Sequence, residues 1–181
     1  MTDGDLVRAA LEGDDEAFGE IVRRYEPAVA ATVMGMLGDC PEAEDVGQEV
    51  FVRLYRSLAS FRGEASLRTY LTRIAINLSL NELKRRKRRR LLFSMKPVEE
   101  HRNLPDPAAS DRIGEEDLVT AAIQKLDDKS RAVVVLRLID GHSTGETAGI
   151  LGVPVGTVLS RLARAQQKLR KILLPLIGDG R

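Results

Sequence analysis

Thr157, Ser160, Arg161, Arg164 and Lys168 are spaced so that one helix would turn all five away from an apolar stripe of Val158, Leu162, Ala165, Leu169 and Ile172. The two small hydroxyl residues allow close approach to a groove and can hydrogen-bond bases or phosphates. Arg161 and Arg164 can grip a guanine edge through paired N–H groups or hold phosphate oxygens. Just upstream, Ser143-Thr144-Gly145-Glu146 has the form of a capping box. Ser143 would accept a backbone N–H from the first turn while Glu146 reaches back. Gly152 closes that short helix, and Val153-Pro154 opens the next. A capped short helix, a tight glycine turn and a helix with small and basic outward residues form the helix-turn-helix pattern, which implies contact with duplex DNA. A basic helix face taken alone is usually just solvated. The coincidence of cap, turn and outward set favours DNA.

The elements that must position such residues are all helical. Phe18, Ile21, Val22, Tyr25, Val29, Val33 and Met36 recur at helical steps from Asp14 to Leu37, with Asp14 or Asp15 to cap the start and Pro27 expected to bend the middle. Gly38-Asp39-Cys40-Pro41 reads as a turn, with Pro41 at the first position of a second helix. That helix, to about Leu58, buries Val46, Val50, Leu54 and Leu58 and turns Glu42, Asp45, Gln48, Glu49 and Arg53 outward. A break at Ser60–Ala65 precedes a third amphipathic stretch, Leu67 to Leu83, which runs into Lys84-Arg85-Arg86-Lys87-Arg88-Arg89-Arg90. Residues 94–113 hold Pro97, Pro105 and Pro107 with few periodic hydrophobes, as a linker would. Periodicity resumes at Leu118 and stops at Gly141. The expected fold is all-α: a domain over 1–93, a flexible acidic linker over 94–113, and a helix-turn-helix domain over 114–181.

Bulk properties agree. The 181 residues are 43% hydrophobic and 4% aromatic without tryptophan, so aliphatic side chains must fill the interior, a mixture suited to helices. The net charge of +1 conceals blocks of −8 over residues 1–60, +9 over 61–98, −5 over 99–130 and +5 over 131–181. Two basic blocks imply two places where a polyanion touches. One cysteine, Cys40, permits no internal disulfide or CxxC clamp. The acidic start lacks the order of a signal peptide, and no apolar run approaches the roughly 20 residues of a membrane span, so a soluble cytoplasmic protein is expected. His101 and His142 stand apart from any ligand or triad constellation, and no nucleotide-binding loop is present, so neither an enzyme nor a cofactor is expected.

Glu44-Asp45-Val46-Gly47-Gln48-Glu49-Val50-Phe51, then Phe61-Arg62-Gly63-Glu64, then Thr69-Tyr70-Leu71-Thr72-Arg73-Ile74-Ala75-Ile76-Asn77 closely resemble the extracytoplasmic-function (ECF) group of bacterial RNA polymerase sigma factors, in the sigma-70 family. Leu151-Gly152-Val153-Pro154-Val155-Gly156-Thr157-Val158 with Ser160-Arg161-Leu162 resembles the same group's promoter-reading motif. The matches span nearly the whole chain outside the linker, in the family's order.

The resemblance implies a sigma region 2 domain, a linker and a sigma region 4 domain. It assigns Asp45, Gln48, Glu49 and Arg53 to core polymerase, chiefly the clamp coiled coil of the β′ subunit. Contact with the β subunit is also implied. An acidic and amide face suits a basic coiled coil. Phe61, Arg62, Arg68, Tyr70, Arg73, Asn77 and Asn81 would capture the melted non-template strand of the minus-ten element. Amides and aromatic rings hold unstacked bases while arginines take phosphates. Lys84, Arg85 and Arg86, with the rest of the basic run, would neutralise the adjoining duplex in a salt-dependent way. Thr157, Ser160, Arg161, Arg164 and Lys168 would read the minus-thirty-five element. Glu99, Glu100, Asp106 and Asp111 would suit a groove built for RNA, and an anti-sigma partner is implied.

Several positions depart from the family pattern. Leu159 stands where a basic residue is common, Tyr70 replaces a tryptophan, and Thr144-Gly145 replaces an aromatic-acidic pair. Gly47 interrupts the clamp-binding helix at roughly 1 kcal/mol against alanine. The competing reading is a helix-turn-helix regulator that binds duplex DNA without joining polymerase.

Overall fold

A computed structural model describes residues 1–94 and 115–178. All regular structure among them is helical, with no strand. Most of the expected linker, including Glu99, Glu100, His101, Asp106 and Asp111, lies outside the described residues.

Helix α1 (Asp3–Leu11) is one the sequence reading passed over. Thr2 and Asp5 form its capping box, and Leu6 and Val7 bury its inner face. Helix α2 (Asp15–Leu37) starts at Asp14, whose carboxylate accepts the Glu16 and Ala17 amides at 3.0 and 3.1 Å. It continues as one helix through Pro27 and ends at Gly38, whose φ of +79° favours glycine. Helix α3 (Pro41–Ser57) begins with proline and buries Ala43, Val46, Val50 and Leu54, followed by a single 3₁₀ turn, Leu58–Ser60. Helix α4 (Leu67–Ser94) carries the minus-ten candidates from Arg68 to Asn81 and the whole basic run on one continuous rod, with Phe61 and Arg62 in the loop before it.

Downstream lie α5 (Glu115–Gln124) and α6 (Asp128–Val134), then a π-helical turn over Val135–Ile139, α7 (Thr144–Leu151) and α8 (Val155–Gly178). Ser143 and Glu146 close the expected capping box, and Gly152 ends α7 in the left-handed region at φ +63°. Helix α8 buries Val158 and Ala165 against Val133, Val134 and Ala148, which fixes which of its faces is left for solvent.

The first four helices enclose a core that includes Ile21, Met36, Leu54, Leu71 and Ile76. The same core takes in Ala132, Val135, Leu136 and Ile150 from the C-terminal half. At Gly35 the α2 backbone approaches the π-helical turn so closely that an added Cβ would stand 2.9 Å from a Val135 methyl and 3.1 Å from Ile139 Cδ1. Arg131, 6% exposed, ties the halves by donating to the carbonyls of Met36 at 2.8 Å, Gln124 at 2.6 Å and Leu126 at 2.9 Å. The first of these satisfies a helix-end carbonyl that would otherwise be orphaned. Gln124 adds a bond from its amide to the Gly35 carbonyl at 2.9 Å.

Candidate nucleic-acid interface

Three surfaces gather the residues singled out above. On α3, Asp45, Gln48 and Arg53 are exposed and Glu49 half-buried, opposite the buried Val46, Val50 and Leu54. Arg53 pairs with Glu49 at 3.0 Å, an exposed i,i+4 pair of little energetic weight. Beside this face a groove of about 800 Å³ runs between α2 and α3. Its apolar walls include Val22, Val29, Met34 and Phe51, and Glu44 and Gln48 edge it. Gly47 lines the groove as well, with no atom within 4 Å of where a Cβ would sit, so its own fold does not require glycine there.

The second surface is the outer side of α4 with the loop before it. The rings of Phe61 and Tyr70 pack at 5.2 Å between centroids and 59° between planes, and the Tyr70 hydroxyl is 3.0 Å from Ser57 Oγ. Arg73, Asn77 and Asn81 are exposed at four-residue steps and therefore form one stripe. Arg62 and Lys84 are also exposed. The basic run is less uniform than its composition suggests. Buried Glu82 draws Arg85, Arg86 and Arg89 at 2.7, 3.4 and 3.2 Å. Arg86 turns inward further, donating to the Leu37 carbonyl at 3.2 Å and reaching Glu42 at 3.4 Å. Glu42 is held below the usual carboxylate range by its own backbone N–H at the α3 start and then by Arg86. Arg86 is thus a brace between α2, α3 and α4 in this conformation, while Lys84 and Arg85 face outward. The lone acidic residue in that stretch was the available signal.

The third surface is α8. Ser160, Arg164 and Lys168 are exposed, with Thr157 and Arg161 half-buried beside them. Arg164 Nε donates to the Ser160 carbonyl at 3.2 Å, and the Ser160 hydroxyl donates to the Thr157 carbonyl at 3.1 Å.

The seam between the halves runs across the second surface. Arg68 Nη2 donates to the Asp140 carbonyl at 2.8 Å, and Arg73 Nη2 lies 3.5 Å from the Gly149 carbonyl. Thr72 is buried against His142, whose Nε2 is 3.4 Å from its hydroxyl. Burial lowers the pKa of His142, with Arg68 adding to that and Glu146 opposing. The Asp140 carboxylate, at 8% residue exposure, is pushed up to about 6 by burial, against the hydrogen bond from Thr32 and the charge of Arg68. Asp140, Thr32 and Glu82 were not singled out from sequence; Thr32 sits mid-helix and nothing local marks it. Among the described residues no cluster of His, Cys, Asp and Glu could hold a metal ion, and no helix is long and apolar enough to cross a membrane.

Residues 21–89 match the model for sigma-70 region 2, and residues 116–169 match the model for sigma-70 region 4. The chain is 35% identical to the ECF RNA polymerase sigma factor SigW of Bacillus subtilis, over 94% of this chain and 96% of that one. It is 35% identical to the ECF sigma-E factor of Escherichia coli strain K12, over 98% and 97%. The chain belongs to the ECF sigma factors of the sigma-70 family. It is an RNA polymerase sigma factor. The regulator reading, which dispenses with the first domain, is not favoured, because the region 2 match covers most of α2, all of α3 and most of α4. Sigma factors are initiation factors of a non-enzymatic family. Among solved structures, CnrH in complex with the cytosolic domain of CnrY is similar at a TM-score of 0.69 and 29% identity, covering 94% of this sigma factor and 96% of that chain. The sigma factor RpoE of Bartonella quintana, in complex with the anti-sigma factor NepR, shares the fold at a TM-score of 0.70 and 22% identity, over 86% and 96%.

Proposed function

We propose that this sigma factor docks on core polymerase through α3, and that the Arg73-Asn77-Asn81 stripe with the Phe61–Tyr70 pair captures melted minus-ten bases. The observation that carries this is the stripe itself. Two exposed amides and an arginine share one helix face beside a packed ring pair, which supplies base-edge hydrogen bonds, stacking and phosphate contact within one surface. Asp45, Gln48, Glu49 and Arg53, with the adjoining groove, receive the β′ clamp coiled coil. The outward side of α8 reads the minus-thirty-five element. Domain roles follow the same division at 1–93 and 114–181, with 94–113 as the linker between them, and the β subunit is a further contact. The chain contributes binding energy and no catalytic step of its own, and it works in the cytoplasm.

Reading both elements requires the halves to separate. They are about 25 base pairs apart, roughly 85 Å at the 3.4 Å rise of B-DNA. In the conformation described here Arg68 and Arg73 instead point at carbonyls of the other half. The closed conformation is therefore a resting form. An anti-sigma partner would act by favouring a state that cannot engage polymerase.

The test is transcription in vitro with core polymerase, a promoter library and sequenced start sites. Expected are new starts sharing two upstream elements. Asn77→Ala with Asn81→Ala should lose at least tenfold in open-complex formation while still co-purifying with core enzyme. Unchanged opening by that double variant would remove the minus-ten assignment.

A further inference from the structure

Helix α8 presents two flanks of different chemistry. At about 100° per residue, Thr157, Arg161, Arg164 and Lys168 lie to one side of its outward direction, and Val155 and Leu159 lie to the other. Val155 is 47% exposed and Leu159 52%, one turn apart, on a helix whose Val158 is fully buried. Gly156 lies beside them with nothing within 4 Å of a Cβ position, so nothing in the fold shields this flank. The nearest polar groups are turned back on their own helix: the Ser160 hydroxyl on Thr157 and Arg164 on the Ser160 carbonyl. Hydrocarbon is what this flank offers a groove.

We propose that Leu159, supported by Val155, reads the C5-methyl group of a thymine in the major groove of the upstream promoter element. The inference rests on α8 being the helix that reads that element. In the major groove thymine is the base marked by an apolar group, and aliphatic side chains are its matching contact. The first turns of a recognition helix are the part that meets base edges, and both residues sit there. Leucine at this position offers the groove an apolar contact where an arginine or lysine would offer a charged one. It thereby moves preference at that base pair towards thymine.

The experiment uses holoenzyme assembled from the full chain and core polymerase. A promoter is selected from a library randomised across the upstream element. It is then resynthesised with deoxyuridine replacing thymidine one position at a time, which deletes only the methyl group. At least one replacement should cut initiation about three- to fivefold, the value of one buried methyl. The Leu159→Ala holoenzyme should begin with that deficit and lose nothing more on the uracil template, a coupling that a general weakening would not produce. The proposal is overturned by a selected element without thymine on either strand, by indifference of the wild type to uracil, or by an equal uracil effect in Leu159→Ala. Failure of Leu159→Ala to assemble with core polymerase would also overturn it, by showing that the pair contacts protein. If randomising the whole upstream element has no effect, the assignment of α8 itself fails. An element that is needed but blind to its methyl groups removes the role of Leu159 alone.

Discussion

The Thr32 hydroxyl lies 3.1 and 3.0 Å from the two carboxylate oxygens of Asp140, across the seam between the halves of the chain. The same hydroxyl is 2.9 Å from the Ala28 carbonyl, and it has one proton to give. Donation to the carboxylate favours its charged form, yet burial outweighs it and pushes Asp140 up to about 6.

Asp140 makes the closed form pH-dependent. A pKa raised from 3.8 to about 6 on closure means its contribution is fully present below 3.8 and is lost as pH rises through about 6. The span corresponds to roughly 3 kcal/mol at its limit. His142 works in the opposite sense. Its lowered pKa means that protonation as pH falls below 6.5 loosens the seam. The groups facing the pair are Thr32, Arg68, Thr72 and Glu146. The melting-temperature difference between the wild type and Asp140→Asn isolates the aspartate, and it should grow in favour of the wild type between pH 7 and pH 4. A flat difference would show that Asp140 does not change protonation in the seam.

Gly35→Leu should part the halves. Even a single added carbon stands 2.9 Å from Val135, and overpacking of this kind costs about 1–3 kcal/mol. Small-angle scattering should report a larger radius of gyration with helix content retained, and the variant should bind core polymerase more tightly than the wild type. A compact variant would mean that the π-helical turn yields locally instead.

Gly47→Ala should separate stability from binding. Its Cβ position is empty, so alanine in mid-helix should raise stability by up to about 1 kcal/mol. The added methyl group projects into the groove beside Gln48, and affinity for core polymerase should fall if the coiled coil seats there. Thermal melting and a fluorescence-based core-binding titration read the two effects independently.

Arg131→Met should be among the costliest single changes, on the order of 3–5 kcal/mol. It strips two buried carbonyls and one part-buried carbonyl of their charged donor at once. Chemical denaturation should show a lower midpoint, and a midpoint unchanged within error would exclude the tie.

Helix existence was legible where a period and a cap coincided, as at Asp14, Pro41 and Ser143–Glu146. The outward sets on α3 and α8 followed from the same arithmetic. Helix α1 carries a legible Thr2–Asp5 cap, but it is short and its apolar pair Leu6-Val7 shows no period. The seam was not legible. Its contacts join residues from 41 to 108 positions apart, such as Lys87 with Asp128 and Thr32 with Asp140, and no local pattern encodes such pairings. Arg86 shows the limit of reading charge from composition. Seven basic residues in a row look equivalent until Glu82 and Glu42 are placed beside them.

The close fit of Val135, Leu136 and Ile150 onto the first four helices has a cost that falls on the open state. Parting the halves bares an apolar strip on each of them, around Gly35 on one side and the π-helical turn on the other. Water is a poor solvent for such a strip, and a second open chain offers a complementary one. The separated protein is therefore the species prone to self-association.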